Sequence, residues 1–161
     1  MVLLLRGRDG AEFELAIVGP GPTTKLSGAW PGLDLYWVEV QARVSTLTQT
    51  WTFSGESLDN QEVGILADWL GAVGNRREVM QELEFLDPDF SFRILEDADD
   101  DVVLRVYFEL RGRPPWAPAN SAGRRDVWID LRVSRADLRA AADMLVQDAS
   151  QLPHGESLKG V

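Results

Sequence analysis

The stretch Leu35-Tyr36-Trp37-Val38-Glu39-Val40-Gln41-Ala42-Arg43-Val44 decides how the rest of the chain is read. Tyr36, Val38, Val40, Ala42 and Val44 fall on one face of a two-residue period. Trp37, Glu39, Gln41 and Arg43 fall on the other, which is the pattern of a half-buried strand. Thr46 to Phe53 follows almost at once, with Leu47, Gln49, Trp51 and Phe53 opposed to four threonines. Threonine and aromatic residues suit a pleated surface, so a second strand is expected there. Upstream, Val2 to Arg6 and Ala11 to Val18 flank the turn signal Arg8-Asp9-Gly10 and predict an opening hairpin. Gly19-Pro20-Gly21-Pro22 then halts regular structure, and a loop is expected as far as Asp34.

Downstream, Asp59-Asn60-Gln61-Glu62 has the form of a capping box and predicts a helix from Asn60 to Val73. Val63, Leu66, Trp69, Leu70 and Val73 form its core-facing stripe, and Gly74-Asn75 ends it. Strands are expected at Gln81 to Leu86 and Phe90 to Leu95, joined by Asp87-Pro88-Asp89. The acidic turn Glu96 to Asp101 leads into Val102 to Leu110; the loop Arg111 to Arg125 leads into Asp126 to Val133. Ser134-Arg135-Ala136-Asp137 starts a last helix, with Leu138, Ala141, Ala142, Leu145 and Val146 as its stripe and Pro153 beyond it. Parallel βαβ units need a helix between most strands, and this order does not provide them. The expectation is a single α+β domain over residues 1–150: a largely antiparallel sheet of about eight strands with two helices packed on one face. Residues 151–161 read as a polar tail, and no internal repeat is evident.

Composition narrows the function. The chain has 161 residues, no cysteine and one histidine, His154, which sits in the tail where little positions it for chemistry. Thiolate sites, imidazole–metal sites and the commonest nucleophile–base pairs therefore lack raw material, and no cofactor or metal is expected. Twenty-six acidic residues against sixteen basic ones leave a formal charge of -10. That excess disfavours nucleic acid, whose phosphates need clustered cations, and suits a basic protein partner or plain solubility. The apolar run Val2-Leu3-Leu4-Leu5 is too short for a secretory core or a membrane span, so a cytoplasmic protein is expected.

The sharpest local feature is Glu96-Asp97-Ala98-Asp99-Asp100-Asp101. Asp97, Asp99 and Asp101 are spaced like the opening of a calcium loop, but Val102 and Phe108 occupy the places of its glycine and closing glutamate. An EF-hand is excluded, leaving a solvated hairpin turn or a partner-binding acidic loop. In Arg111-Gly112-Arg113-Pro114-Pro115-Trp116-Ala117-Pro118, Trp116 reads as an anchor pinning a stiff loop or as an exposed contact. Arg111, Arg113, Arg124 and Arg125 invite pairing with the acidic turn, but the intervening strand separates the two by roughly 30 Å. Glu12 with Glu14, and Glu82 with Glu84, share single strand faces, a spacing compatible with acid–base catalysis but usual on a solvated sheet. Trp37, Glu39, Gln41 and Arg43 match Trp128, Asp130 and Arg132 in kind, as in an amphipathic sheet face suited to an interface.

Several segments in order resemble the WapI-type immunity protein family, cytosolic antidotes to bacterial contact-delivered toxins. The carrying residues are Leu35 to Val40, Trp51-Thr52-Phe53, Leu66-Ala67-Asp68-Trp69-Leu70, Leu83 to Phe92 with its Asp-Pro turn between aromatic strands, and Asp126 to Leu138. Asp87 stands where the family pattern leads one to expect glutamate. The resemblance implies neutralisation of a toxin domain by direct binding without chemistry, and it assigns no contact residues. Nuclease toxins are usually basic, which fits an acidic antidote. The expected contacts are therefore Glu96, Asp97, Asp99, Asp100 and Asp101 for steering, with Trp37 and Trp116 for affinity. A structural or interaction domain of another pathway, as a homodimer, is the alternative; a small-ligand binder or carboxylate enzyme is the second.

Overall fold

The computed structural model describes residues 2–23, 35–117 and 125–153. Strands β1 (Val2–Arg6), β2 (Glu12–Pro20), β3 (Trp37–Ser45) and β4 (Thr50–Asp59) form one antiparallel sheet in that order. Helix α1 (Asn60–Gly74) then crosses to a second antiparallel sheet of β5 (Glu82–Leu83), β6 (Phe90–Asp97), β7 (Asp101–Phe108) and β8 (Trp128–Ser134). Helix α2 (Arg135–Gln151) follows β8. The expected α+β architecture is present, with eight antiparallel strands and two long helices among the described residues. The strands divide between two sheets because α1 interrupts the run of hairpins, so β4 and β5 are not neighbours.

Both halves share one plan that no sequence similarity betrays: a four-stranded meander whose last residue becomes the N-cap of a helix. Asp59 accepts from the Glu62 amide at 2.8 Å, and the Glu62 carboxylate accepts from the Asp59 amide at 3.0 Å, completing the capping box. Ser134 accepts from the Asp137 amide at 3.1 Å. A capped donor at the strand's end lets extended backbone turn straight into a helix without leaving the first N–H groups unpaired.

The alternation of β3 survives intact: Tyr36, Val38, Val40, Ala42 and Val44 are buried, while Gln41 and Arg43 are exposed. Each sheet thus has one apolar face, and these faces meet. Phe13 of β2 lies 5.5, 6.0 and 5.8 Å from the rings of Phe90, Phe92 and Phe108 of the other sheet. Phe53 approaches Phe90 at 6.2 Å and Trp51 approaches Phe108 at 5.3 Å, all tilted or edge-on, the arrangement ring quadrupoles favour. The helices pack on each other and enter the same core. Trp69 of α1 sits 5.9 Å from Phe92, while α2 lies against β1 and β8.

Several local readings change. The strand expected from Thr46 begins at Thr50 and runs on to Asp59, and Leu47 is 84% exposed at a hairpin tip. Thr46 draws the backbone into that turn: its amide donates to the Gln49 carbonyl at 2.8 Å and its hydroxyl accepts from the Gln49 amide at 3.1 Å. The strand expected over Gln81 to Leu86 shrinks to Glu82–Leu83, because the Leu86 amide is bonded to the Glu62 carboxylate at 2.9 Å instead of to a strand. Leu110 leaves the β7 face for a 3-10 turn (Leu110–Gly112) at φ 47°. Val146 is exposed, since one residue past Leu145 lies about 100° around the helix. At the C-terminus Leu152 packs against the core, and the Tyr36 hydroxyl donates to the Pro153 carbonyl at 2.8 Å. His154 and the rest of the tail, most of the loop to Asp34, and residues 118–124 with Arg124 lie outside the described residues.

Phe13 is wholly buried and touches three rings of the opposite sheet. Phe13→Ala should therefore lower unfolding free energy by about 3–5 kcal/mol. Leu47→Ser at the exposed hairpin tip should leave it within about 0.5 kcal/mol of wild type. Urea unfolding of the two variants checks both.

Candidate partner-binding surface

Antiparallel pairing of β6 with β7 makes Ala98-Asp99-Asp100 the hairpin tip, with Asp97 and Asp101 at its base. The turn does not stand alone in solvent. Arg135, the first residue of α2, is nine-tenths buried beneath it. Its Nε donates to the Asp99 carbonyl at 2.9 Å, and its Nη2 donates to the Asp97 carboxylate and the Ala98 carbonyl. Its backbone amide donates to the Asp100 carbonyl at 3.2 Å. The remaining Nη1 donates to the Val73 carbonyl at 2.7 Å, and Arg139 donates to the Gly74 carbonyl at 2.8 Å. The last turn of α1 has no basic residue of its own, so these two arginines supply the positive charge that a helix C-terminus favours.

Other cations complete the corner. Arg76 reaches Asp99, Arg8 pairs with Asp101 at 3.0 Å, and Arg132 pairs with Glu96 at 3.3 Å. Four of the turn's five carboxylates therefore pair with four arginines, which leaves little net charge at the corner. Asp99 keeps a fully accessible carboxylate, and Asp100 is exposed with no ion pair among the described residues. In sequence none of these arginines is assigned to the acidic turn, and Arg132 falls on a sheet face with Trp128 and Asp130. Arg135 carried one usable signal: a cation at the first position of a helix opposes the dipole and calls for an acidic neighbour.

The two tryptophans stand elsewhere. Trp116 lies beyond the far end of β7, about half exposed, with its ring edge-on to buried Trp51 at 5.7 Å. Trp37 is half-buried on β3 in the other sheet, so Trp37 and Trp128 do not share a face. The described arginines of the 111–125 loop pair at their own end of the fold, as the strand length implied. Arg111 meets Asp87 at 2.6 Å and Asp89 at 3.1 Å, Arg113 meets Asp126 at 2.6 Å, and Arg125 reaches Glu82 and Glu84.

Three of the four paired carboxylates are held by cations, Glu12 by Arg6 at 2.8 Å, Glu82 by Arg93 at 3.3 Å and Glu84 by Arg125. Two other carboxyls have raised pKa values. Burial pushes Glu62 up against the two amides that bond it. Burial also pushes Asp89 up, opposed by the Ser57 hydroxyl and by Arg111. Both serve structure. Asp89 is fully buried and accepts from Ser57 at 2.6 Å and from the Arg111 amide at 3.2 Å, which joins β4, β6 and the 3-10 turn. Gly112 packs so close that a Cβ there would overlap the Asp89 carbonyl. Among the described residues no three acidic or histidine side chains form a metal-binding group, and no helix is long and apolar enough to cross a membrane.

Replacing Arg135 by Ala strips several charge-assisted hydrogen bonds and should cost about 3 kcal/mol or more, with Arg135→Lys in between because its point charge cannot fork. Thermal unfolding of the two variants tests the ranking. For Glu62 the folded state holds its proton more tightly than the unfolded chain. That contribution to stability is present below the unfolded pKa and lost as pH rises through the folded one. Glu62→Gln should therefore remove a fall in stability with rising pH just above the ordinary carboxylate range, seen as a flatter ΔG–pH profile than wild type.

A model of the Immunity protein WapI-like family matches residues 4–153, and the chain belongs to that family. No curated protein and no solved structure matches it.

Proposed function

From this membership we propose that the chain neutralises a basic toxin domain in the cytoplasm by binding it, without catalysis. The family match over residues 4–153 carries the reading. The formal charge of -10 supports a cationic partner, because opposite net charges speed encounter and raise its salt dependence. Asp100 is exposed without an ion pair among the described residues and Asp99 is the most exposed of the turn's paired acids, while Glu96, Asp97 and Asp101 are more closely held by arginines. On this reading Asp99 and Asp100 contribute to steering and their three neighbours shape the turn. Trp116 and Trp37 offer aromatic contact on separate faces, and only one of them need meet a single partner surface.

The test first searches the surrounding genome for an encoded toxin domain and then pairs the chain with it. Co-expression should rescue growth, and the purified proteins should form a complex that weakens as salt rises. The double variant Asp99→Lys/Asp100→Lys should slow association by about tenfold or less while dissociation changes little. Trp116→Ala and Trp37→Ala, measured singly, should raise the dissociation rate in one case only. A toxin that kills equally with and without the chain removes the reading.

A further inference from the structure

We propose that the groove between α1 and the segment entering β5 receives a cationic segment of the toxin partner, which inserts an apolar side chain there. The inference rests on the neutralisation reading and places its main contact. Ile65 and Trp69 of α1 face Val79, Met80 and Leu83 across a concavity of about 540 Å³. The groove is built before any partner arrives: the Trp69 indole donates to the Met80 carbonyl at 2.8 Å, pinning the strand entry to the helix. Trp69 is 6% exposed and forms the floor, while Ile65 at 49% and Met80 at 78% stand open on opposite lips. Leaving two large apolar side chains in water beside a preformed cleft is what a protein contact site looks like before binding.

Charge selects the occupant. Asp68 lines the groove and Glu78 lies between the lining residues Arg77 and Val79. Neither carboxylate has an ion pair among the described residues, and Arg77 is the rim's own cation. A second copy of a chain with a formal charge of -10 would set these acids against their own kind, whereas a lysine- or arginine-bearing segment pairs with them. The acidic turn lies next door, because Arg76, which holds Asp99, immediately precedes Arg77. Steering charge and apolar anchor thus adjoin, with Trp116 beyond the opposite end of β7.

The chain carrying Ile65→Lys, Met80→Lys or Asp68→Lys is tested for binding to an inactivated form of the toxin domain identified by that growth rescue, with thermal unfolding as a check on fold. All three positions are exposed, so Tm should hold while each variant weakens binding by about tenfold, the level expected of anchor residues. Wild-type affinity in the two lip variants overturns the groove and leaves neutralisation standing. Loss in the lip variants with no effect of Asp68→Lys overturns the cationic occupant. A wild-type dimer in sedimentation that Met80→Lys abolishes overturns the assignment in favour of a second copy. Failure of the wild-type chain to bind the toxin removes the neutralisation reading and the groove with it.

Discussion

Each sheet of this protein is apolar on one face only, and each depends on the other to cover it. Phe13, Phe53 and Trp51 from one sheet meet Phe90, Phe92 and Phe108 from the other at ring separations between 5.3 and 6.2 Å. Rings this close give directional contact as well as area, so the seam specifies how the sheets align in addition to removing them from water. The helices then have little choice of site. Their apolar stripes must join the same core, and they do so side by side, α1 reaching Phe92 through Trp69.

Polar groups around the seam hold its ends. Asp89, wholly buried, is bonded by Ser57 of β4 and by both amide and guanidinium of Arg111. Gly112 leaves room for the Asp89 carbonyl and offers its own carbonyl to the Trp51 indole at 2.9 Å. One end of the sandwich is thereby tied through a carboxylate whose burial is costly and is offset by donation from Ser57 and from the amide and guanidinium of Arg111. At the other end Arg135 ties the acidic turn to the C-terminus of α1. The two ends use the same device with the signs exchanged, a buried charge satisfied by groups from two other segments.

This division of labour bears on function. The run of acids that dominates the sequence is spent largely on its own arginines, so its residual charge is modest. Uncompensated acids stand on the helix and groove surfaces instead, among them Asp68 and Glu78. On the proposed neutralisation reading, unpaired acids beside an apolar groove would combine fast encounter with slow release.

Alternation in β3, the capping box at Asp59 and the buried stripe of α1 were all legible in the chain, because they depend on neighbours within a few residues. Strand ends were less so: Thr46 had strand propensity but its hydroxyl closed a turn, and Glu84 to Leu86 lost pairing where Glu62 reaches the Leu86 amide across 24 positions. The acidic turn was visible as a sequence and misleading as a charge, since Arg8, Arg76, Arg132 and Arg135 come to it from four separate segments. The sequence by itself determined an antiparallel α+β chain, its helix starts and most of its buried positions, because periodicity and capping are local. Only the tertiary structure decided that there are two sheets, which acids remain unpaired and where an apolar groove opens, because each depends on which distant residues fold into contact.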